Sequence, residues 1–234
     1  MRGGAVRAAQ RRGLTEALRD RRSERVVVVS HCLLNENVRY LGGACRPAAV
    51  DELVDGWRAA GAGICQMPCP EQRAWGGVLK PRMLSVYGSK GSMRYALRRP
   101  LTALLLAWTR IVYARLARRV AGDIASYRDA GMEVTGIVCV AGSPSCGATV
   151  TLDIPGAVER LAGLPVAELD RGAVNRVVTE TAVPGAGLFT AALVRALSRR
   201  GITIPVAEHD LIAELRTDEA AGTSAAGRGQ VAVR

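Results

Sequence analysis

The stretch Val134–Thr151, VTGIVCVAGSPSCGATVT, decides the fold. It opens with Val134–Val140, an apolar run rich in valine, which is typical of a strand covered on both faces of a sheet. A tight turn follows, because Pro144 fixes its own φ and Gly147 adopts backbone conformations that other residues avoid. We therefore expect Cys146 on a rigid loop at the carboxyl end of a strand, where open α/β sheets bind their ligands.

Two other stretches repeat this design. Arg25–Ser30 is a strand pattern that ends close to Cys32, and Gly61–Gln66 is a shorter one that ends close to Cys69. Because the exits of parallel strands lie along one edge of a sheet, we expect these two thiols and that of Cys146 to converge. Three thiolates without an obvious fourth ligand suit either a zinc ion with one open position or an iron–sulfur cluster with one open iron.

Strand and helix patterns alternate along the chain. They predict an α/β fold with a mostly parallel, doubly wound sheet, helices on both faces and the cysteine loops at its carboxyl edge. Helical patterns cover Val50–Ala60, Leu101–Ala130 (as one helix or two) and Leu188–Arg200, and Thr149–Asp153 is expected to be extended. A last strand is expected over Ile202–Val206.

Composition divides the chain into three parts. A basic flexible extension is expected over residues 1–24, and the stretch Arg2–Arg25, which ends at the first residue of the next part, holds eight arginines. A single α/β cluster-binding domain is expected over residues 25–215. The tail, residues 216–234, is rich in Gly, Ala, Ser and Thr and is expected to be disordered.

Positive charge is concentrated in one segment of this chain, which has 234 residues and a formal net charge of +11. Leu79–Val120 holds ten Lys or Arg and no carboxylate. Two interpretations stay open: a solvated face of an arginine-rich protein, or a phosphate-binding surface by which the basic segment 80–119 contacts transfer RNA. Arginines such as Arg110 and Arg115 interrupt the apolar run from Leu101. We therefore expect an amphipathic, core-facing helix here and no membrane partner.

The number and positions of the cysteines and histidines limit the kinds of reaction that the protein could catalyse. Six cysteines are too few for a disulfide scaffold, and no apolar leader is evident, so a reducing cytoplasm is expected. There, cysteines at strand exits indicate metal binding or catalysis. Cys139 is expected in the core, while Cys45 and Cys65 are reserve ligands. His31 and His209, the two histidines, are expected to be structural, which weighs against Cys–His protease chemistry.

Two polar residues accompany the cysteines. Glu71 lies two residues after Cys69, and Ser143 lies three residues before Cys146. If the cysteines converge, the carboxylate and the hydroxyl lie near the same edge, where they are candidates for proton transfer to a substrate. The alternatives stay open: an exposed carboxylate for Glu71, and capping of the turn by the hydroxyl of Ser143.

Taken together, these motifs resemble the 2-thiouracil desulfurase family. The resemblance rests on SHCLL (Ser30–Leu34) with Val38–Tyr40, PCPE (Pro68–Glu71), Gly76-Gly77 with Pro81-Arg82, and SPSCG (Ser143–Gly147). It runs from about Val26 to Leu152 and does not cover the basic insert Leu84–Arg119 or the region after Asp153. His31 stands where the family more often has a small residue, and Gln72 and Trp75 alter the loop after the second cysteine.

The resemblance implies a 4Fe–4S cluster held by Cys32, Cys69 and Cys146, with the fourth iron free to take the sulfur of a thiocarbonyl. Glu71 and Ser143 match the residues that assist water in opening the carbon–sulfur bond. The implied activity is that of a non-redox, sulfide-releasing desulfurase for a thiolated nucleobase, nucleoside or similar small molecule. Two alternatives stay open: a desulfidase for thiouridine in transfer RNA, and a non-catalytic metal-containing module that binds nucleic acid.

Overall fold

A four-stranded parallel sheet flanked by helices forms the centre of the protein, which confirms the predicted α/β class. The structure is a computed structural model that describes residues 13, 14, 16–18 and 20–217. In chain order the strands are β1 (Arg25–Val29), β2 (Gly63–Gln66), β3 (Glu133–Val140), β4 (Val150–Leu152), β5 (Ala182–Pro184) and β6 (Val206–His209).

The sheet has the order β2-β1-β3-β6, and all its neighbouring strands are parallel. Val28 in β1 lies opposite Cys65 of β2 on one side and Ile137 of β3 on the other. The chain leaves β1 for β2 and then crosses to the opposite side for β3. The carboxyl ends of β1 and β3 therefore flank the point where the strand order reverses, which is where open α/β sheets bind ligands.

Helices cover both faces of the sheet. They are α1 (His31–Leu34), α2 (Asp51–Ala59), α3 (Pro70–Trp75), α4 (Pro81–Leu84), α5 (Met93–Asp129), α6 (Ile154–Ala162), α7 (Arg171–Glu180) and α8 (Leu188–Ser198). Residues 211–217 are also helical. Side chains of α3, α5, α6 and α8 pack with Val28 and Ile137 on one face. Residues of α1, α2 and the helical residues 211–217 pack with Val27 and Val29 on the other. The valines of β1 are buried on both faces for this reason.

Helix α5 is a single helix of 37 residues, about 55 Å long at 1.5 Å per residue. The hydroxyl of Ser92 caps its start by accepting a hydrogen bond from the Tyr95 amide at 3.1 Å. Pro100 lies inside it and leaves one intrahelical hydrogen bond unmade. One face of α5 is buried, which confirms the predicted core-facing helix; its buried residues are Thr102, Leu106, Thr109, Tyr113, Ala117, Val120, Ala121 and Ile124.

Two strand predictions need correction. The last strand begins at Val206, so the prediction of Ile202–Val206 was wrong except for its final residue. Pro205 has no N–H to donate, and it contributes to the sheet only by accepting a hydrogen bond from Ile137 at 2.9 Å. The extended segment after Cys146 is confirmed as β4, but it pairs antiparallel with β5 in a separate two-stranded sheet that the sequence did not predict.

Much of the predicted extension (1–24) and almost all of the predicted tail (216–234) lie outside the described residues, so the division into domains stays a prediction. Across residues 13–217, where described, no helix is both long enough and apolar enough to cross a bilayer.

Candidate functional site

Three cysteines lie just beyond the carboxyl ends of β1, β2 and β3. Cys32 is in the single-turn helix α1, where the sequence suggested a loop, and Cys69 is the residue before α3, with Pro70 in the first helical position. Cys146 lies in the turn after β3, whose amide-to-carbonyl bond from Gly147 to Ser143 measures 3.1 Å. The sheet topology therefore delivers the three thiols to one edge.

The pKa of each of these cysteines is raised by burial, and neighbouring thiols contribute to two of the three shifts. Burial raises the pKa of Cys69 to about 12, with further contributions from the Glu71 carboxylate and from Cys32. Burial also raises the pKa of Cys146 well above its usual value, and Cys139, Cys32 and Cys69 add to the effect. Burial raises the pKa of Cys32, against the opposing positive charge of Arg39. Each thiol of the predicted set thus lies within electrostatic range of the other two.

The other cysteines have different surroundings. Cys139 is buried in β3, as predicted, with its sulfur 3.7 Å from the Thr190 hydroxyl. Cys65, a proposed reserve ligand, lies within β2, near Tyr127. Cys45, the other reserve, donates its backbone N–H to the Glu36 carboxylate at 2.7 Å.

A carboxylate and two hydroxyls lie beside Cys146. The Ser145 hydroxyl donates to Glu71 Oε1 at 2.9 Å and lies 3.0 Å from the Ser143 hydroxyl, which is itself 3.5 Å from the same carboxylate oxygen. Ser143 also accepts hydrogen bonds from the backbone N–H groups of Ser145 (3.3 Å) and Cys146 (3.0 Å), so it does cap the turn. The Ser145 hydroxyl is 3.6 Å from the Cys146 sulfur. Polar contacts therefore run from Glu71 to the thiol.

Lys80 completes this group from a loop. Its ammonium lies 2.6 Å from Glu71 Oε2, and the side chains are only 7% and 12% exposed, respectively. The loop contains Gly76 and Gly77 at positive φ, and Lys80 itself has φ 51°, a region that residues other than glycine seldom adopt. Strained conformations of this kind persist where the surroundings hold them, often at functional sites. Because the Glu71 carboxylate is nearly buried, it needs a counter-charge, and the Lys80 ammonium supplies it.

The loop that carries Cys146 is anchored by the beginning of α8. The carbonyl of Ser145 accepts hydrogen bonds from the N–H groups of Phe189 (3.0 Å) and Thr190 (3.1 Å). Gly187 donates to the carbonyl of Gly147 at 2.9 Å. The first N–H groups of a helix lack partners within it, so the loop satisfies them and is held in return. A Cβ on Gly187 would lie 2.5 Å from the Ser145 carbonyl oxygen, which explains the glycine there.

Glu208, in the edge strand β6, holds the other side of the loop that carries Cys146. Its carboxylate accepts from the backbone N–H groups of Ala148 at 2.7 Å and Thr149 at 3.0 Å, and from the Thr149 hydroxyl. Two elements that follow the cysteine in sequence therefore fix its position.

Tyr113 reaches the site from the middle of α5. Its side chain is buried, 1% exposed, and its ring contacts Phe189 edge-on at 6.2 Å. Burial, followed by the nearby Glu71, Cys146 and Cys69, raises its pKa strongly. The hydroxyl lies close to Ser145, yet it makes no hydrogen bond of good geometry to any described residue. A buried donor without a partner is costly, so this hydroxyl is a candidate to bind a ligand.

The donor set fits a multi-iron cluster in its chemistry. The buried Cys69 and Cys146 and the half-buried Cys32 lie at one edge of the sheet, with the cations of Arg39 and Lys80 close to Cys32. Among the described residues no three Cys, His, Asp or Glu side chains are arranged to hold a single metal ion. A single ion needs its donors around one point, whereas each cysteine of a cluster binds a different iron, so its sulfurs lie further apart.

Sequence reasoning named some of these residues and missed others. Both histidines have structural partners: His31 Nδ1 lies 2.6 Å from Gln66 Nε2, and His209 pairs with Glu214 at 2.8 Å. The missed residues are Lys80, Tyr113, Ser145 and Glu208. Ser145 could have been predicted from the sequence, because it lies next to Cys146 in the motif SPSCG. Tyr113 and Glu208 come from distant segments, Lys80 comes from the loop that follows α3, and no local pattern marks these three residues.

The comparisons with known proteins agree with the geometry. The family model described as 2-thiouracil desulfurase matches residues 27–209. The match continues beyond Asp153 to the end of β6, so the resemblance drawn from the motifs, which stopped at about Leu152, was too short. Neither the curated proteins nor the solved structures gave a match to this chain.

Proposed function

The chain belongs to the 2-thiouracil desulfurase family, and on that basis we propose that it removes sulfur from the thiocarbonyl of a thiolated nucleobase, nucleoside or similar small molecule. The observation that supports this most directly is the polar chain from Lys80 through Glu71 and Ser145 to Cys146, beside two further thiols. In this arrangement a carboxylate and a hydroxyl lie next to soft sulfur donors, which supports the proposal.

A 4Fe–4S cluster is the cofactor that this donor set would hold, through Cys32, Cys69 and Cys146. When bound, it supplies a thiophilic Lewis acid that polarises the C=S bond without changing the number of electrons. Binding would require all three thiols to lose their protons. Arg39 and Lys80 favour that loss at Cys32, since each lowers its pKa.

In the proposed reaction, Glu71, Ser145 and Ser143 transfer the protons of the attacking water. Glu71 Oε2 is paired with Lys80, which leaves Oε1 to take a proton from the attacking water. The hydroxyls of Ser145 and Ser143, both at Oε1, pass protons between the carboxylate and the leaving group. The water oxygen forms the new bond to carbon, the carbon–sulfur bond breaks, and sulfur leaves as hydrogen sulfide. The sum is thiocarbonyl plus water giving carbonyl plus hydrogen sulfide, with no redox change.

Anaerobic reconstitution with iron and sulfide tests the proposal. We expect a brown protein that absorbs near 400 nm, contains about four irons per chain and converts 2-thiouracil into uracil with one sulfide released for each uracil formed. A colourless protein that carries one zinc and has no turnover would contradict the proposal and favour the nucleic-acid-binding module.

Tyr113 offers a more specific prediction, because its buried hydroxyl has no good partner among the described residues. If the hydroxyl donates to the bound substrate, Tyr113→Phe lowers kcat/KM by about two- to ten-fold, the value of one hydrogen bond. The same change removes an unsatisfied donor, so the free energy of unfolding rises by about 1 kcal/mol. Iron content should not change.

Steady-state kinetics and urea unfolding measure the two effects. Tyr87→Phe is the matched control, since its hydroxyl contacts only the Leu164 carbonyl, at 3.4 Å, in the described residues. A Tyr113→Phe variant that loses stability and keeps its kcat/KM would show that the hydroxyl is a structural group.

Thiouridine in transfer RNA remains a second candidate substrate, as the sequence predicted. The structure reduces the charge available for it, because Lys80 pairs with Glu71, and Arg98 with Glu159. Arg99 also lies 3.7 Å from Glu159, so the exposed arginines of α5 within the segment 80–119 that pair with no described carboxylate are Arg94, Arg110, Arg115, Arg118 and Arg119. If they bind RNA, the binding constant falls steeply as salt rises. Each phosphate contact contributes nearly one unit to the slope of log K against log salt concentration.

A further inference from the structure

Helix α5 is apolar on two opposite faces. One face packs on the core, and the other carries large exposed side chains at helical spacing: Met93, Leu97, Leu104, Trp108 and Ile111. Met93 is 80% exposed and Leu104 is 70% exposed. Steps of four, seven, four and three residues place them in one stripe on the helix. A surface helix normally has polar residues opposite its core face, so this outer stripe calls for a partner.

The stripe extends beyond the apolar residues. Arg115 and Arg118 continue it in the next two turns, and Arg94 and Arg119 border it on one side. The helix also adjoins the loop that carries Lys80, since the Arg82 guanidinium lies 5.9 Å from the centre of the Trp108 ring. That segment has exposed apolar side chains of its own, at Val78, Leu79 and Leu84.

The charge on this surface selects the kind of partner. No Asp or Glu occurs between Lys80 and Gly122 in the sequence. Glu159 of α6 is the carboxylate that reaches this part of α5 in the described residues, and it pairs with Arg98 and Arg99. A second copy of this chain would bring the same positive charge to the contact and be repelled. A partner protein is usually recognised through both signs of charge. A single sign matches a uniformly anionic surface.

Nucleic acid and a membrane with anionic lipids both present a uniformly anionic surface, and the apolar side chains of the stripe distinguish between them. Nucleic acid offers phosphates and base edges, which give little burial to exposed Leu, Ile and Met side chains. A bilayer with anionic headgroups offers both phosphates for the arginines and acyl chains for the apolar stripe. Trp108 is of a residue type enriched at that boundary.

We propose that the outer face of α5 binds the surface of an anionic lipid membrane, with the stripe Met93–Ile111 lying in the headgroup region and the flanking arginines on lipid phosphates. The helix lies parallel to the membrane plane and does not cross it. This proposal replaces the expectation of no membrane partner, because the arginines that interrupt the apolar run argue against a membrane span and not against binding at the membrane surface. The protein is held there peripherally, with the loop of Lys80 next to the membrane.

Co-sedimentation of the full chain with vesicles tests this inference. We expect binding to vesicles of phosphatidylcholine with phosphatidylglycerol, no binding to phosphatidylcholine alone, and weaker binding as salt rises. Leu104→Glu and, independently, Ile111→Glu should each weaken binding by about ten-fold or more. Each change removes an apolar side chain that the membrane would bury and adds a carboxylate that the anionic headgroups repel. Val194→Glu, an equally simple change at an exposed valine of α8, is the matched control and should bind normally.

Three results would overturn the proposal. The first is equal vesicle binding by Leu104→Glu, Ile111→Glu and Val194→Glu. The second is a wild-type dimer that Leu104→Glu converts to a monomer, which would make the stripe a contact between copies. The third is tight binding to RNA without binding to vesicles. Turnover of 2-thiouracil by the soluble protein should be the same in all variants, so the outcome does not depend on the catalytic proposal.

Discussion

Cys146→Ala is expected to yield a folded protein without iron and without measurable desulfurase turnover. Three cysteines leave no spare ligand, so loss of any one removes a third of the anchors of a cluster. The fold should survive, because the loop is held by backbone hydrogen bonds to α8 and by Glu208, and not by the sulfur. Cys32→Ala and Cys69→Ala should behave in the same way.

Iron and sulfide content, absorbance near 400 nm and circular dichroism after anaerobic reconstitution measure this effect. Cys139→Ala is the matched control: it removes a neighbouring buried thiol that lies within β3, so it should keep its iron. If Cys45 or Cys65 proved necessary and Cys69 dispensable, the ligand assignment would be wrong.

Glu71→Gln is expected to keep the cluster and lose turnover by about 100- to 10,000-fold, the range for a general acid–base group. The amide keeps the shape of the side chain and its contact with Ser145. It cannot take a proton from water, and it leaves Lys80 without its anion.

Single-turnover assays on protein with a measured iron content separate loss of chemistry from loss of cofactor. Glu168→Gln, at an exposed carboxylate, controls for a change of one charge. Full activity of Glu71→Gln would remove this carboxylate from the mechanism. Loss of iron would make Glu71 a support for the cluster and not a proton carrier.

The parts of the fold that were predictable are those with a local signature. The apolar runs before Cys32, Cys69 and Cys146 mark buried parallel strands, and the exits of such strands meet at one edge. The central sheet and the position of the three cysteines just beyond its strand ends followed from these patterns. The ion pair of Lys80 with Glu71 did not, because it depends on the path of a loop in which two glycines and Lys80 itself have positive φ.

Other features depend on contacts between distant segments. Tyr113 occupies an ordinary core position by helical spacing, and only the packing of α5 against α3 and α8 brings its hydroxyl to the cysteines. The small sheet of β4 and β5 joins two three-residue strands about thirty residues apart, which are too short to show a period. The outer stripe of α5 was hidden because its apolar residues were counted toward the core.

The anchoring of the Cys146 loop by α8 has a consequence for the order of events during synthesis. All three cysteines and Glu71 have been translated by residue 146, yet the amide groups that hold the loop belong to residues 187–190. At roughly 5 to 20 residues per second, several seconds separate the two on the ribosome. In that interval the loop of Cys146 lacks the backbone hydrogen bonds that hold it in the finished protein. We therefore expect the proposed cluster to be assembled only after α8 has been synthesised.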